Sequence, residues 1–133
     1  MQSELYHFHT IAGLPINDQS SYSARLKVVT EEIFEFMEEA QRMREAIHLN
    51  RLEEGPHADL LKELVDVVYT LVSLCVGVGY DFDKAFLLVH RDNKAKVEQG
   101  SVNAEGKLQK PEGWPKLSVL ECVPESLLQE DRE

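Results

Sequence analysis

The segment from about Pro56 to Val78 restricts the fold more than any other part of the sequence. In a helix it carries apolar side chains on nearly every side, namely Leu60, Leu61, Leu64, Val65, Val67, Val68, Leu71, Val72, Leu74 and Cys75. A helix of this kind is normally buried on most of its surface. Either the rest of the chain or further copies of it must therefore supply that cover.

Three other segments place apolar residues three and four positions apart, which predicts amphipathic helices. We place them at about Ser3 to Ala12, Tyr22 to Leu49 and Phe82 to Gln99, and Asp81 is a plausible N-cap for the last. Two long helices and a third cannot bury every apolar face. We therefore expect an all-α fold, an antiparallel helical bundle completed by homo-oligomerisation as a homodimer or homotetramer.

The segments between and after these helices have less pattern. The link Asn50 to Gly55 ends the second helix, and Pro56 suits the first turn of the next. After Gly100 the chain turns to Gly, Pro and Lys, so we expect an irregular tail, frayed over Gln129 to Glu133. Residues 1–133 are thus expected to form a single domain with an irregular tail from about residue 100.

Composition excludes several classes of function. The net charge of −10 argues against binding to nucleic acid polymers, which need a basic face. The sequence contains no apolar run of the roughly 18 residues that a membrane span requires. The N-terminus lacks the pattern of a signal peptide, and the two cysteines form no CxxC motif. We expect a cytoplasmic protein, with Cys75 in the core and Cys122 in the tail.

Polar residues interrupt the apolar third helix at a regular spacing. Glu63, Asp66, Thr70 and Ser73 lie three, four and three residues apart and share one side of the helix. Burying carboxylates without partners costs several kcal/mol in general. Lys62 points about 100° away from Glu63 on a regular helix. We therefore expect the counter-charge to come from elsewhere, although a buried ion-pair network is an alternative.

The second helix is rich in glutamate over two turns. Glu32, Glu35 and Glu39 share a face, so packing this face against the third helix would gather Glu32, Glu35, Glu63 and Asp66. Clusters made only of carboxylate oxygens suit hard cations, which predicts Mg²⁺ or Mn²⁺ at this site. Glu38 and Glu39 fit a solvated face about equally well.

The fourth helix carries polar residues in line with its apolar stripe. Asn93 and Lys96 continue the spacing that ends at Val89, and Arg91 lies nearby. An inward-facing lysine and asparagine would make sense if they met a phosphate. A lysine that extends to solvent at the helix end is the equal alternative.

These motifs together resemble a known family. Glu31-Glu32-Ile33-Phe34-Glu35 has the form EExxE, and Glu63-Leu64-Val65-Asp66 has the form ExxD. Further similarities lie in Phe8-His9, Gly13-Leu14-Pro15, Arg25, Asn93 with Lys96, and Lys110-Pro111-Glu112-Gly113-Trp114-Pro115. Over roughly residues 5 to 117, the chain resembles the all-α nucleoside triphosphate pyrophosphohydrolases of the MazG-like superfamily, of the phosphoribosyl-ATP pyrophosphohydrolase and dimeric dUTPase kind.

The resemblance implies that a nucleoside triphosphate substrate and water give a nucleoside monophosphate and diphosphate. It implies that Glu32, Glu35, Glu63 and Asp66 bind Mg²⁺, and that Glu31 activates the attacking water or holds a further metal. Lys96, Asn93 and Arg91 would meet the phosphates or the sugar.

The base would lie near the N-terminal segment, where Phe8, Ile11 and Leu14 offer an apolar slot and Asn17 an amide. Ordinary packing is the alternative for each of these residues. We place a guanine nucleotide slightly above others, because Asn17 could hydrogen-bond to a purine edge. The local context differs from that of histidine-biosynthesis enzymes, so phosphoribosyl-ATP is not the leading substrate.

Two other functions fit parts of the sequence. Glu45-Ala-Ile-His48 is a Glu-x-x-His motif, as in ferritin-like dimetal carboxylate proteins, but it leaves Glu63 and Asp66 unexplained. A non-enzymatic helical dimerisation module is the second alternative. It predicts that neutralising Glu63 or Asp66 leaves stability unchanged or raised, with no effect of magnesium on melting.

Overall fold

The computed structural model describes residues 1–50 and 54–128. Helices dominate the described residues. They are α1 (Gln2–Ala12), α2 (Tyr22–His48), α3 (Glu54–Val78), α4 (Phe82–Gln99) and the short α5 (Glu125–Leu128), with 3₁₀ turns at Gln19–Ser21 and Leu120–Cys122. The strands β1 (Ser101–Val102) and β2 (Leu108–Gln109) have two residues each. The chain divides into two compact units, residues 1–79 and residues 80–133.

The four predicted helices are confirmed, with small shifts at their ends. α1 begins one residue earlier than predicted, α2 ends one residue earlier at His48, and α3 begins at Glu54. Pro56 is therefore in the first turn of α3, as its lack of an N–H favours. Residues 51–53 of the predicted link and the predicted frayed end, residues 129–133, lie outside the described residues.

In the first unit, α2 and α3 run antiparallel. Gly77, near the end of α3, lies beside the start of α2, where a Cβ added to it would meet Ser21 Oγ at 2.9 Å and Arg25 Cγ at 3.2 Å. The middle of α2 meets the middle of α3 at Glu32 and Asp66. The buried apolar side chains of this unit are Leu5, Val29, Met43, Val72, Val76 and Val78. A side chain at position 77 would therefore force Ser21 and Arg25 to shift, and glycine favours the close approach of the two helices.

The loop after α1 closes the carboxyl end of α3. Gly13 ends α1 in the left-handed conformation, with φ of 69°. The N–H groups of Asn17 and Asp18 then donate to the carbonyls of Val76 and Gly77, at 3.2 and 2.7 Å. These contacts satisfy carbonyls that the helix end would otherwise leave unpaired.

A buried histidine ties this loop to α3. His9 is fully buried, with Nδ1 2.7 Å from the Pro15 carbonyl oxygen and Nε2 2.7 Å from Ser73 Oγ. Because a carbonyl only accepts, Nδ1 donates to Pro15, and in the neutral imidazole Nε2 accepts from the Ser73 hydroxyl. Ser73 therefore pairs with His9. Thr70 Oγ1, from the same predicted polar stripe, donates to the Val67 carbonyl.

Large apolar side chains on α2 and α3 remain exposed in the single chain. Exposure reaches 63% for Phe34, 58% for Met37, 62% for Leu61 and 51% for Val65. One chain therefore leaves the third predicted helix partly uncovered, and the homo-oligomer expected to cover it stays a prediction. None of the described helices combines the length and apolarity that crossing a membrane requires.

The second unit contains α4 and a β-hairpin. Asp81 caps α4, as predicted, by accepting a hydrogen bond from the Lys84 N–H at 3.1 Å. β1 and β2 pair antiparallel, with Ser101 opposite Gln109. This hairpin lies in the region expected to be irregular. Cys122 is buried and its carbonyl accepts from the Asp81 N–H, whereas Cys75, predicted in the core, is only half-buried.

Candidate metal centre

Three of the predicted metal ligands meet where α2 packs against α3. Glu32 comes from α2, and Glu63 and Asp66 come from successive turns of α3. One carboxylate oxygen of each lies within 4.8 Å of the other two. The spacing of three residues places Glu63 and Asp66 on one side of α3, and the antiparallel packing brings Glu32 to that side.

Two oxygens of this acidic cluster (Glu32, Glu63 and Asp66) are buried without a partner. Oε2 of Glu32 and Oε2 of Glu63 are shielded from solvent and accept no hydrogen bond from any described residue. Such atoms carry a desolvation cost unless something else contacts them. The site therefore favours a bound group that can satisfy acceptors.

The raised pKa of Glu32 also favours a bound cation. Burial raises the pKa of the Glu32 carboxyl above its ordinary value of 4.5. The negative charges of Glu35, Asp66 and Glu63 raise the pKa further. Like charges at short range disfavour ionisation, and an added cation would reverse this effect.

Lys62 supplies part of the missing positive charge, contrary to the prediction that no cation of α3 reaches the pair. Its Nζ lies 2.6 Å from Asp66 Oδ2 and 3.6 Å from Glu63 Oε1. The prediction was wrong because it used only the direction in which the side chain leaves the helix. The flexible lysine stem reaches residue i+4 on the next turn. Asp66 is the main cause of the raised pKa of Lys62.

The donor set fits a hard divalent cation. Metal–oxygen distances of roughly 2.0–2.6 Å require ligand oxygens within about 4–5 Å of one another. The three carboxylates meet this requirement, and all their donors are oxygens. Mg²⁺ and Mn²⁺ both accept such ligands. The two unpartnered oxygens are the observation in favour of an ion.

The other glutamates of α2 have different surroundings. Glu35 is exposed and contacts Glu32, but it is not part of the three-residue cluster found among residues 1–50 and 54–128. Glu31 and Glu38 are exposed, and Glu39 is half-buried and paired with Arg42 Nη1. The roles predicted for Glu31 and Glu35 stay predictions.

The Glu-x-x-His motif does not join this cluster. Glu45 and His48 are both exposed, and His48 is the last residue of α2. Within the described part of the chain, neither belongs to a group of potential metal ligands.

The residues predicted to form the base slot lie on and after α1. The Phe8 ring is half-buried and meets Tyr69 of α3 edge to face, with ring centres 5.4 Å apart. Ile11 is 69% exposed, and the exposed Asn17 adopts a positive φ of 54°. Tyr69 was not predicted, because its contact with Phe8 joins segments far apart in the sequence. Base binding by this group stays a prediction.

The predicted phosphate-binding residues belong to α4 in the second unit. Lys96 Nζ lies 2.8 Å from Asp92 Oδ2, and its side chain is only 21% exposed, so it does not extend freely to solvent. Asp92 also accepts a hydrogen bond from Trp114 Nε1 at 3.1 Å. Asn93 and Arg91 are exposed. Asp92 was missed, although its spacing of four residues from Lys96 is typical of a helical ion pair.

Comparison with protein-family models gives a match to phosphoribosyl-ATP pyrophosphohydrolase over residues 6–93. This range contains all four predicted metal ligands and Asn93, and it ends before Lys96 and the hairpin. Comparison with curated proteins gave no significant match. Because the match spans well over half of the sequence and the described fold is mainly helical with almost no strand, the chain belongs to the phosphoribosyl-ATP pyrophosphohydrolase family, within the MazG-like all-α superfamily.

Proposed function

We propose that this protein is a metal-dependent nucleoside triphosphate pyrophosphohydrolase, which converts a (d)NTP and water to a (d)NMP and diphosphate. The family implies a pyrophosphohydrolase activity. The observation that carries the proposal is the convergence of Glu32, Glu63 and Asp66, with two buried oxygens that no described residue satisfies. Structural carboxylates are normally paired, so this arrangement favours a functional site.

In this proposal the acidic cluster and Glu35 hold Mg²⁺ or Mn²⁺. Such a cation would stabilise negative charge on the phosphate oxygens and make a water molecule a better nucleophile. Glu63 and Asp66 would orient their oxygens from the rigid frame of α3, and Glu32 from α2. Lys62 would give up its contacts with Asp66 and Glu63 when the cation enters.

The remaining roles follow from charge and position. Glu31, exposed on α2 next to Glu32, would accept the proton of the attacking water. Lys96, Asn93 and Arg91 would donate hydrogen bonds to the phosphates. Phe8 and Ile11 would contact the base, and Asn17 would pair with its edge, since an amide both donates and accepts. A guanine base is placed slightly above others on this ground.

Phosphoribosyl-ATP is the second candidate substrate. The description of the matching family model favours it. The two candidates share the cleaved α–β phosphoanhydride bond and differ in the group attached to the base. The same assay therefore tests both.

The test is diphosphate release from a panel of common NTPs, dNTPs and phosphoribosyl-ATP, with Mg²⁺ and with Mn²⁺. We expect release from at least one nucleotide and its loss in Asp66→Asn. Asp59→Asn is a matched control, because Asp59 is exposed near the start of the same helix. Absence of diphosphate from every compound in the panel would overturn the proposal.

We also propose that a second copy of the chain covers the exposed apolar face of α2 and α3. Phe34→Asp should weaken this association by at least about tenfold, because burying one phenylalanine contributes roughly 1.5–3 kcal/mol. Light scattering across a dilution series measures the effect, and Ser23→Asp, at an exposed site of the same helix, is the control for added charge. A wild-type chain that is monomeric at all concentrations would contradict this prediction.

A further inference from the structure

The second unit contains a cavity of about 440 Å³ between the end of α4 and the β-hairpin. Its volume lies in the usual range of small-molecule sites. The lining residues are Asn93, Lys96, Lys107, Leu108, Gln109 and Lys110. We call this cavity the basic cleft. It extends beyond the residues that the family model matches, which end at 93.

The charge of the basic cleft is opposite to that of the whole chain. Three lysines line it, although the chain carries a net charge of −10. Lys96 is paired with Asp92. Among the side chains that the structure describes, those of residues 1–50 and 55–128, no carboxylate lies within ion-pair distance of the Lys107 or Lys110 ammonium group. Asp92 and the three lysines together carry a net charge of +2, which favours an anionic ligand.

Two features set the position and the shape of the hairpin. A Cβ added to Gly100 would lie 2.3 Å from the Gln109 carbonyl oxygen and 2.7 Å from the Lys96 carbonyl oxygen, so no side chain fits there. The Asn103 side-chain oxygen accepts from the Lys107 N–H at 2.9 Å and fixes the turn. The backbone that carries the lysines is therefore set by local contacts, and the cleft is a built feature of the fold.

Asp92 and Trp114 orient the third lysine. Asp92 Oδ2 lies 2.8 Å from Lys96 Nζ, and its Oδ1 accepts from the Trp114 indole at 3.1 Å. Trp114 is the only tryptophan of the chain. A ligand that changes the ion pair between Lys96 and Asp92 should therefore also change the hydrogen bond from Trp114 to Asp92. Because the sequence has one tryptophan, the indole N–H resonance reports this change without overlap.

We propose that the basic cleft binds inorganic diphosphate, the product of the proposed reaction, with Lys107 and Lys110 of the hairpin as binding residues. The lysines and the amides of Asn93 and Gln109 offer donors to phosphate oxygens. A carboxylate ligand or a single phosphate would use fewer of these donors. The identity of the ligand rests on the proposed function, whereas the presence of an oxyanion site rests on the cleft alone.

The experiment titrates inorganic diphosphate into the full-length protein in metal-free buffer and follows the indole N–H resonance of Trp114. We expect a saturable shift, and a loss of affinity of about tenfold or more in the double variant Lys107→Ala and Lys110→Ala. Lys116→Ala is the matched control, because Lys116 lines a different cavity. Its titration should equal that of the wild type.

Two further variants distinguish a loss of binding residues from a loss of folded structure. The double variant Lys107→Arg and Lys110→Arg keeps the charge and should restore most of the affinity. Gly100→Ala keeps every lysine but forces the hairpin away from α4, and should also lose binding. Circular dichroism shows whether the helices of each variant remain.

The outcomes separate this proposal from the enzymatic one. An unchanged titration in the alanine double variant, or an equal response of the wild type to sulfate, overturns the diphosphate site even if the nucleotide panel gives activity. Saturable diphosphate binding that depends on both lysines supports the site even if the panel shows no hydrolysis, which would then overturn the proposed function alone.

Discussion

The acidic cluster and the basic cleft are built in opposite ways. In the acidic cluster, three carboxylates from two packed helices converge, and the only nearby cation in the described contacts, Lys62, is itself largely exposed. In the basic cleft, three lysines converge, and one carboxylate, Asp92, is held beside them by Lys96 and Trp114. Each region therefore carries excess charge of one sign within its own unit.

The difference shows what each region lacks. The acidic cluster has buried oxygens without donors, so a small cation is the complementary ligand. In the basic cleft, Lys107 and Lys110 have no carboxylate partner among the described side chains, so an oxyanion is the complementary ligand. A ligand that binds only the folded state raises its stability, so each region should respond to its own ligand in melting experiments.

The largest expected effect comes from removing one carboxylate of the acidic cluster. Glu63→Gln should lower diphosphate release by about a hundredfold or more, since electrostatic groups at reaction centres contribute on that order. It should also abolish the rise in melting temperature caused by Mg²⁺. The diphosphate titration of Trp114 should stay unchanged, because that response belongs to the second unit.

Glu38→Gln is the control for this prediction, since Glu38 is exposed on α2. A Glu63→Gln protein that still melts at a higher temperature with Mg²⁺ would remove the acidic cluster from the metal site.

The next effect concerns pH, and it has opposite signs in the two regions. Burial and neighbouring charges raise the pKa of Glu32, so its contribution to stability is present below about the ordinary value of 4.5 and is lost as pH rises through the higher folded-state pKa. Glu32→Gln should therefore raise the melting temperature of the metal-free protein at pH 7. The rise should be no more than about a few degrees, because Glu32 is only half-buried and solvent screens its charge.

Melting curves of the wild type and Glu32→Gln from pH 4.5 to 8 in metal-free buffer measure this effect. The two curves should converge toward the acid end, where Glu32 is protonated. If the variant melts below the wild type at pH 7, the carboxylate of Glu32 is stabilised by contacts other than a cation, and the argument from its unpartnered oxygen is wrong.

The helices could be predicted from the sequence because they depend on local information. The spacing of apolar residues gave all four long helices within two residues at each end, and Asp81 was identified as an N-cap from its position alone. The hairpin was missed because it depends on contacts that exist only in the folded chain. These are the close approach of Gly100 to the Gln109 carbonyl oxygen and the hydrogen bond from the Lys107 N–H to the Asn103 side chain.

The site was predictable only where its residues share a helix face. Glu63 and Asp66 were identified because they interrupt an apolar helix, and Glu32 because its face packs against them. The contact between His9 and Ser73 spans 64 positions, so no local pattern contains it. Lys62 was misjudged because only its direction relative to Glu63 was considered, although its spacing of four residues from Asp66 is typical of a helical ion pair.

A smaller effect is expected at Asp92, where the pH response is reversed. Its hydrogen bond with Lys96 is the main cause that lowers the pKa of Asp92 below the ordinary 3.8, and the Trp114 hydrogen bond adds to it. Its contribution is therefore present above that value and lost as pH falls through the folded-state pKa. The Trp114 indole resonance should shift only below about pH 4 in the wild type and should show no such step in Asp92→Asn. A step at higher pH would mean that Lys96 does not hold the carboxylate.

The smallest effect should come from Lys62, and it tests whether the acidic cluster is organised for an external cation. Lys62 is 67% exposed, and ion pairs of this kind contribute little in water. If its ammonium occupies the place of a metal, Lys62→Gln should strengthen Mg²⁺ binding, by less than about fivefold, while lowering the melting temperature of the metal-free protein slightly. Calorimetric titration with Mg²⁺ measures this, and Lys27→Gln, at an exposed position of α2, is the control. Weaker Mg²⁺ binding in Lys62→Gln would show that the lysine supports the carboxylates when the metal is bound and does not compete with it, so the acidic cluster would need both cations.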